Sequence, residues 1–400
     1  MIRGQTIVCI ANRWDFDPTS KHQVMKRLAA ANDVVWVNYR GTRRPRATAA
    51  DFRTVFSTLG RVAQGVQRID RRMVQLTPLV LPGATNPLAL AANRRLLAAQ
   101  IRRAIRRVQR GRRRPVQVWT FAPDVWFLAG ALNEDRLVYY CVDEYTEFED
   151  FDRPSIRTAE RRLIERADVV ITTSGPLYES KRRLHGNTHL VRHGVDVDHF
   201  AQALDADLAV PVELADLRRP VLGFFGLIHY WIDCALLAAV ARLRPAYSFV
   251  LIGDDQQSHA VLRAQPNVRL LGRRPYADLP AYCKAFDAGL LPFTSSRMTR
   301  NVNPIKMREY LAAGLPVVST PLPEAERYRP HITIADDAES FAQACDEAIA
   351  RSSPAERAAR SRTVAGETWE AVVERLSRIV GGTSARQRTP MSALALAPGA

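Results

Sequence analysis

Two α/β domains built on parallel sheets are what this sequence predicts, and three observations predict it. Four hundred residues exceed one ordinary core and suit two domains of roughly 150 to 200 residues each. Short apolar runs alternate with helix-period segments along most of the chain, the order that βα units impose. A composition of 47% hydrophobic and 24% charged residues is that of a folding chain and not of a disordered one.

In the first half, strands are expected near residues 6–10, 34–37, 75–80, 116–120, 137–142, 169–173 and 188–191. In the second half they fall near 221–225, 248–252, 268–271, 288–292, 317–319 and 332–334. Residues 201–219 lack a clear period and hold Pro211, so they read as a linker between a domain over 1–200 and another over 220–365. A last helix is expected over 366–380. Beyond it, 381–400 runs through Ser, Thr, Arg, Pro and Ala without period and reads as a disordered tail.

Five cysteines, scattered and without CxxC spacing, give neither a disulfide framework nor a zinc site, and a reducing cytoplasm is the simplest home. The apolar run 6–11 near the start is too brief for a signal segment or a membrane span. A cytoplasmic protein, soluble or attached to the inner face of a membrane, is expected. Charge is concentrated in the first half. Between Gly41 and Arg114, 18 arginines face two acids, Asp51 and Asp70, an excess equal to the whole chain's +16. Within this region Leu97, Ile101, Ile105 and Val108 form one helical stripe, with Arg102, Arg103, Arg106, Arg107 and Arg110 around it. Such a basic amphipathic helix suits a solvated face or a patch for an anionic membrane or lipid-diphosphate acceptor. A nucleic-acid surface ranks last, because no aromatic residues interleave the arginines.

The most informative run is Asn303-Pro304-Ile305-Lys306-Met307-Arg308-Glu309-Tyr310-Leu311-Ala312-Ala313-Gly314, followed by Pro316-Val317-Val318. It reads as a helix that Asn303 caps, that Pro304 opens and that Gly314 closes, before a buried strand. Free N–H groups at its start suit an anion such as a diphosphate. Lys306 and Glu309, three apart, share a face and offer a cation for phosphate and a carboxylate for ribose hydroxyls. Only five of the 57 basic residues are lysines, so a lysine here is not background. Any doubly wound protein also contains helix, glycine and apolar strand, and that plainer reading competes.

This run resembles the nucleotide-sugar motif of GT-B glycosyltransferases of the family 4 type, especially teichuronic-acid and exopolysaccharide transferases. Val169–Ser174, the His193-Gly194-Val195-Asp196 turn, the strands around Gly223–Gly226 and Phe249–Gly253, and 287–292 agree in order and spacing. The resemblance is strong over 169–320 and weak before it. It implies a GT-B fold, two Rossmann-like domains with parallel sheets facing a central cleft, and a returning C-terminal helix. It also implies a metal-independent hexosyltransferase that uses a nucleoside-diphosphate sugar with retention, no cofactor, and a saccharide or lipid-linked acceptor in cell-envelope or exopolysaccharide synthesis. Gly226, His229, Asn301, Asn303, Pro304, Ile305, Lys306 and Glu309 would bind the donor.

Two departures stand out. The family's Arg and Lys pair after the first C-domain strand is replaced by His229, Tyr230, Trp231, Ile232 and Asp233, and the glutamate eight positions before Glu309 is Asn301. A catalytically degenerate binding protein, or a GT-B-shaped epimerase or phosphorylase, is therefore an alternative. In the first domain, Ser20 reads as the cap of a helix with Lys21 and His22 in its first turn, and His22 is a candidate contact to substrate. Asp143, at the carboxyl end of the 137–142 strand, could receive an acceptor hydroxyl's proton. Catalytic candidates are thus Lys306, Asp143 and His22. Asp15-Phe16-Asp17 and Asp196-Val197-Asp198 suggest metal-dependent chemistry on their own, but the second lies in the linker turn of the resemblance, and no metal is expected.

Overall fold

The computed structural model describes residues 1–16, 18–39, 60–81, 86–149, 151–256 and 260–384. Asp17 and the tail beyond 384 lie outside the described residues. The chain divides into one unit of Met1–Arg192 with Val372–Ala400, and a second of His193–Ala371.

The first unit is built on eight strands: β1 (Thr6–Ala11), β2 (Asp33–Asn38), β3 (Gln67–Arg68), β4 (Met73–Leu76), β5 (Val116–Thr120), β6 (Arg136–Cys141), β7 (Val169–Thr172) and β8 (Thr188–Leu190). Their order is β3-β4-β2-β1-β5-β6-β7-β8. All pairs are parallel except β3 with β4. β1, β2 and β7 are buried along their whole length, which is why they read as unbroken apolar runs. The second unit holds β9 (Val221–Phe225), β10 (Ser248–Ile252), β11 (Val268–Gly272), β12 (Ala288–Leu291), β13 (Val317–Ser319) and β14 (Ile332–Ile334), ordered β11-β10-β9-β12-β13-β14 and parallel throughout. Each sheet reverses its winding once, between β1 and β5 and between β9 and β12. Open α/β sheets bind ligands outside the carboxyl ends of strands at such a reversal.

Several expectations are corrected. The strand expected over 75–80 is β4 and ends at Leu76, because Leu79 and Leu81 give their N–H groups to the Gln100 and Asn93 side chains instead of to a strand. Residues 201–219 are not a free linker. Lys284 donates to the carbonyls of Asp205, Ala206 and Leu208, and Arg274 and Arg269 pair with Glu213 and Asp216, which fixes the segment within the second unit. The last helix runs Trp369–Gly382, so Gly381 and Gly382 are helical and not the start of a tail.

The basic helix spans Pro87–Gln109, capped by Asn86, whose side chain accepts from the Leu88 N–H at 2.8 Å. Leu97, Ile101, Ile105 and Val108 belong to the core of the first unit. The apolar stripe is consequently not available to a membrane. Arg103, Arg106, Arg107 and Arg110 are exposed, while Arg102, also at the surface, gives its guanidinium to the Ala131 carbonyl.

Candidate functional site

In the second unit, the Ile305–Ala312 helix lies between β12 and β13 in the chain and packs beside both. Its N-cap is Pro304, with no side-chain cap. Asn303 does not cap it, since its Oδ1 instead accepts from Arg308 Nη1 at 2.7 Å and the residue is buried. The fully buried Arg308 also donates through Nε to Glu367 at 2.6 Å, and Tyr328 OH donates to the same carboxylate at 2.5 Å. This network fixes the helix start while leaving its first N–H groups without a side-chain acceptor, the condition for anion binding.

The half-buried Lys306 side chain lies directly over the Cα of Gly226, where any Cβ would collide with its Cε. Gly226 sits at φ +132° just past β9, and a Cβ on the neighbouring Gly253, at φ +142°, would strike the Gly226 carbonyl oxygen. Only glycines allow this close passage. Lys306 Nζ is 5.6 Å from the Phe224 ring centroid. Burial draws its pKa down, and Glu309 opposes that without forming an ion pair. The residue Glu309 is 8% exposed, and its carboxylate takes no hydrogen bond from any described residue. Its carboxyl is pushed up to about 7 by burial, against the pull of Lys306 and with help from Asp196. Asp196 caps the Val197–Ala201 helix, accepting from the His199 N–H. Tyr310, one residue past Glu309, accepts the Phe225 N–H at 3.0 Å and ties the helix to the end of β9.

The loop after Gly226 carries His229, stacked on Trp231 at 4.4 Å with Tyr230 edge-on. It is pinned by Ile228 N–H to the Asp254 carbonyl and by Thr294 N–H to the Trp231 carbonyl. Ile305 is half-buried and Pro304 buried at the helix start. Asn301 closes a short turn, Thr299–Asn301, and its amide donates to the Arg297 carbonyl at 2.6 Å, a use its spacing from Glu309 did not foretell.

In the first unit the expected roles of Ser20 and His22 are corrected. The helix is Ser20–Ala29 with Thr19 as its cap, and His22 completes a capping box. His22 is 2% exposed, accepts from the Thr19 N–H at Nδ1, and places Nε2 3.1 Å from the Trp14 carbonyl. Packed against Trp14 and Trp36, it is held neutral by burial, its pKa lowered to about 4. It is a structural histidine. Asp143 does lie past the end of β6, half-buried, its pKa raised by burial and restrained by Lys21. Lys21, placed by the sequence in the first turn of this helix, was not among the site candidates, although the scarcity of lysine that singles out Lys306 applies to it equally. Glu144, next to Asp143, belongs to a separate network with Lys181 and Glu160. Asp15 pairs with Arg13.

The family described as Glycosyl transferases group 1 matches residues 219–351. Over 288 residues the chain is 27% identical to the Bacillus subtilis (strain 168) protein named as a teichuronic acid biosynthesis glycosyltransferase, TuaH, covering 66% of this chain and 71% of that one. Its fold is similar to that of sucrose-phosphate synthase from Thermosynechococcus elongatus, with TM-score 0.65 and 16% identity over 94% of this chain and 98% of that one. HepE of Anabaena, in complex with UDP and glucose, matches with TM-score 0.65 and 14% identity over 94% and 99% of the two chains.

Proposed function

The chain is a GT-B glycosyltransferase of the family 4 type, and from that premise we propose that it moves a sugar from a nucleoside-diphosphate sugar to a saccharide or lipid-linked acceptor. Retention of anomeric configuration, no metal or cofactor, and a place in cell-envelope or exopolysaccharide synthesis complete the proposal. The observation that carries it is the passage of Lys306 over Gly226 beside an uncapped helix start, with Glu309 one turn on. There the ammonium and helix N–H groups stabilise charge as the C1–O bond to the diphosphate breaks and its electron pair leaves with the phosphate. Glu309 accepts the ribose hydroxyls. The acceptor oxygen bonds to C1 on the face the diphosphate leaves, and its proton is taken up by a base as the bond forms. The name of TuaH, and the UDP and glucose in the HepE complex, support this donor class.

A thermal-shift panel of UDP, GDP, ADP, CMP and dTDP, with and without magnesium, tests the donor site. One diphosphate should raise Tm without metal, and the shift should disappear in Glu309→Ala. No shift with any nucleotide would favour the binding-protein alternative over the transferase.

Among the described residues no helix is long and apolar enough to cross a membrane. Attachment to the cytoplasmic face of an anionic membrane is proposed through Arg103, Arg106, Arg107 and Arg110. At roughly 1 kcal/mol each these would give about 4 kcal/mol of reversible, salt-sensitive binding. Flotation with phosphatidylglycerol vesicles should be lost when all four become Gln. Retained flotation would remove the arginines from the interface.

A further inference from the structure

The five lysines divide into two kinds. Lys284 donates to three backbone carbonyls at 2.6–2.7 Å. Lys181 is clamped between two carboxylates. Lys26 is exposed beside the Trp14 ring. Lys21 and Lys306 differ from these and match each other. Each is the second residue of its helix, Ser20–Ala29 or Ile305–Ala312. Each is half-buried, and each stands 5.6 Å from an aromatic centroid, Phe121 or Phe224. Each is coupled to a carboxylate, Asp143 or Glu309, too distant for an ion pair.

The surroundings of Lys21 belong to the winding reversal of the first sheet. Asn12 follows β1, Phe121 follows β5, and Asp143 lies two residues past β6, the next strand along. The Lys21 ammonium has three protons to donate, yet among the described residues its hydrogen bond is one long contact of 3.4 Å to Asn12 Oδ1. The Asp143 carboxylate accepts from no described residue. A purely structural lysine in this setting would close on its carboxylate, as Lys181 does in the same unit. Instead a donor and an acceptor, both partly desolvated, are held apart at the sheet edge where ligands bind.

Resting on the glycosyltransferase reading, we propose that Lys21, Asp143 and Asn12 form a subsite for an uncharged sugar ring of the acceptor, one of whose hydroxyls bridges Lys21 and Asp143. A hydroxyl both accepts and donates, so a single one satisfies the ammonium and the carboxylate together. The pair carries no net charge. An anionic substituent drawn to Lys21 would meet Asp143, so the subsite selects a neutral hexose over a uronic acid, whatever anion the arginine face holds elsewhere. Lys21 thereby determines acceptor specificity.

The test is saturation-transfer difference NMR with the methyl glycosides of glucose, galactose and mannose and with glucuronate, on wild type, Lys21→Met and Lys26→Met. At least one neutral glycoside should bind the wild type and Lys26→Met alike, bind Lys21→Met at least tenfold more weakly, and bind better than glucuronate. The nucleotide thermal shift, run on the same samples, should be equal in wild type and Lys21→Met, which also shows that the variant is folded. The subsite is overturned if no neutral glycoside binds the wild type, if Lys21→Met binds as the wild type does, if glucuronate binds best, or if Lys21→Met loses the nucleotide shift. Absence of a nucleotide shift in the wild type itself would instead remove the donor reading on which the subsite rests.

Discussion

Lys181 and Lys306 are lysines that burial should discharge, and their surroundings drive them in opposite directions. Lys181, 3% exposed, touches Glu144 at 2.9 Å and Glu160 at 2.7 Å, while Tyr139 OH donates to Glu160 at 2.6 Å. Contact with two carboxylates outweighs desolvation and raises its pKa. Lys306 faces one carboxylate at a distance, desolvation wins, and its pKa falls. A network whose donors and acceptors are consumed internally is a structural device. One that leaves an ammonium and a carboxylate uncompensated is destabilised until a ligand supplies the missing partners.

The comparison breaks most visibly at Lys181. Lys181→Met would strand Glu144 and Glu160 in the interior, and loss of one partner of a buried network costs about 3–5 kcal/mol. Chemical denaturation should show that loss directly. An unchanged midpoint would mean the network is not closed. At Lys306 the effect should fall on turnover instead of stability. A charge-assisted hydrogen bond to the leaving phosphate contributes about 1.5–3 kcal/mol, so Lys306→Ala should lower kcat tenfold or more with the Tm kept or raised. Full turnover in that variant would take Lys306 out of the reaction.

What the sequence disclosed follows the same division. The parallel strands and the 305–312 helix were legible because burial on both faces, Pro304 and Gly314 leave local marks. Lys306, Glu309 and Gly226 were singled out by the motif and the resemblance it carries, and the structure brings Lys306 against Gly226. The use made of Asn303 was not legible, because Arg308, five residues on, donates to its side chain and at the same time to Glu367, far along the chain, and only tertiary packing brings these together. His22 was misplaced for a related reason. First-turn position suggests an open face, but Trp14 and Trp36 close over the ring. Residues 201–219 lacked a period because ion pairs and lysine-to-carbonyl bonds, which have none, hold them.

Glu309 gives the smallest effect and the sharpest comparison. Its folded pKa of about 7 stands above the ordinary carboxyl value of 4.5, so the folded state binds more protons than the unfolded chain between those values. Stability from this group is therefore fully present below about pH 4.5 and declines as pH rises through about 7. Glu309→Gln removes the penalty of charging a buried carboxyl and should stabilise the unliganded protein by about 1–3 kcal/mol at pH 8, with little change at pH 5. Nucleotide binding should respond in the opposite sense. Ribose hydroxyls bond more strongly to the ionised form, so nucleoside-diphosphate affinity in the wild type should rise severalfold between pH 6 and 8, and in Glu309→Gln this rise should be absent. Calorimetry at the two pH values measures both. If the variant gained stability but kept the wild-type pH dependence of binding, the carboxyl would be a buried cost unconnected with the ligand, and Lys306 alone would carry the site.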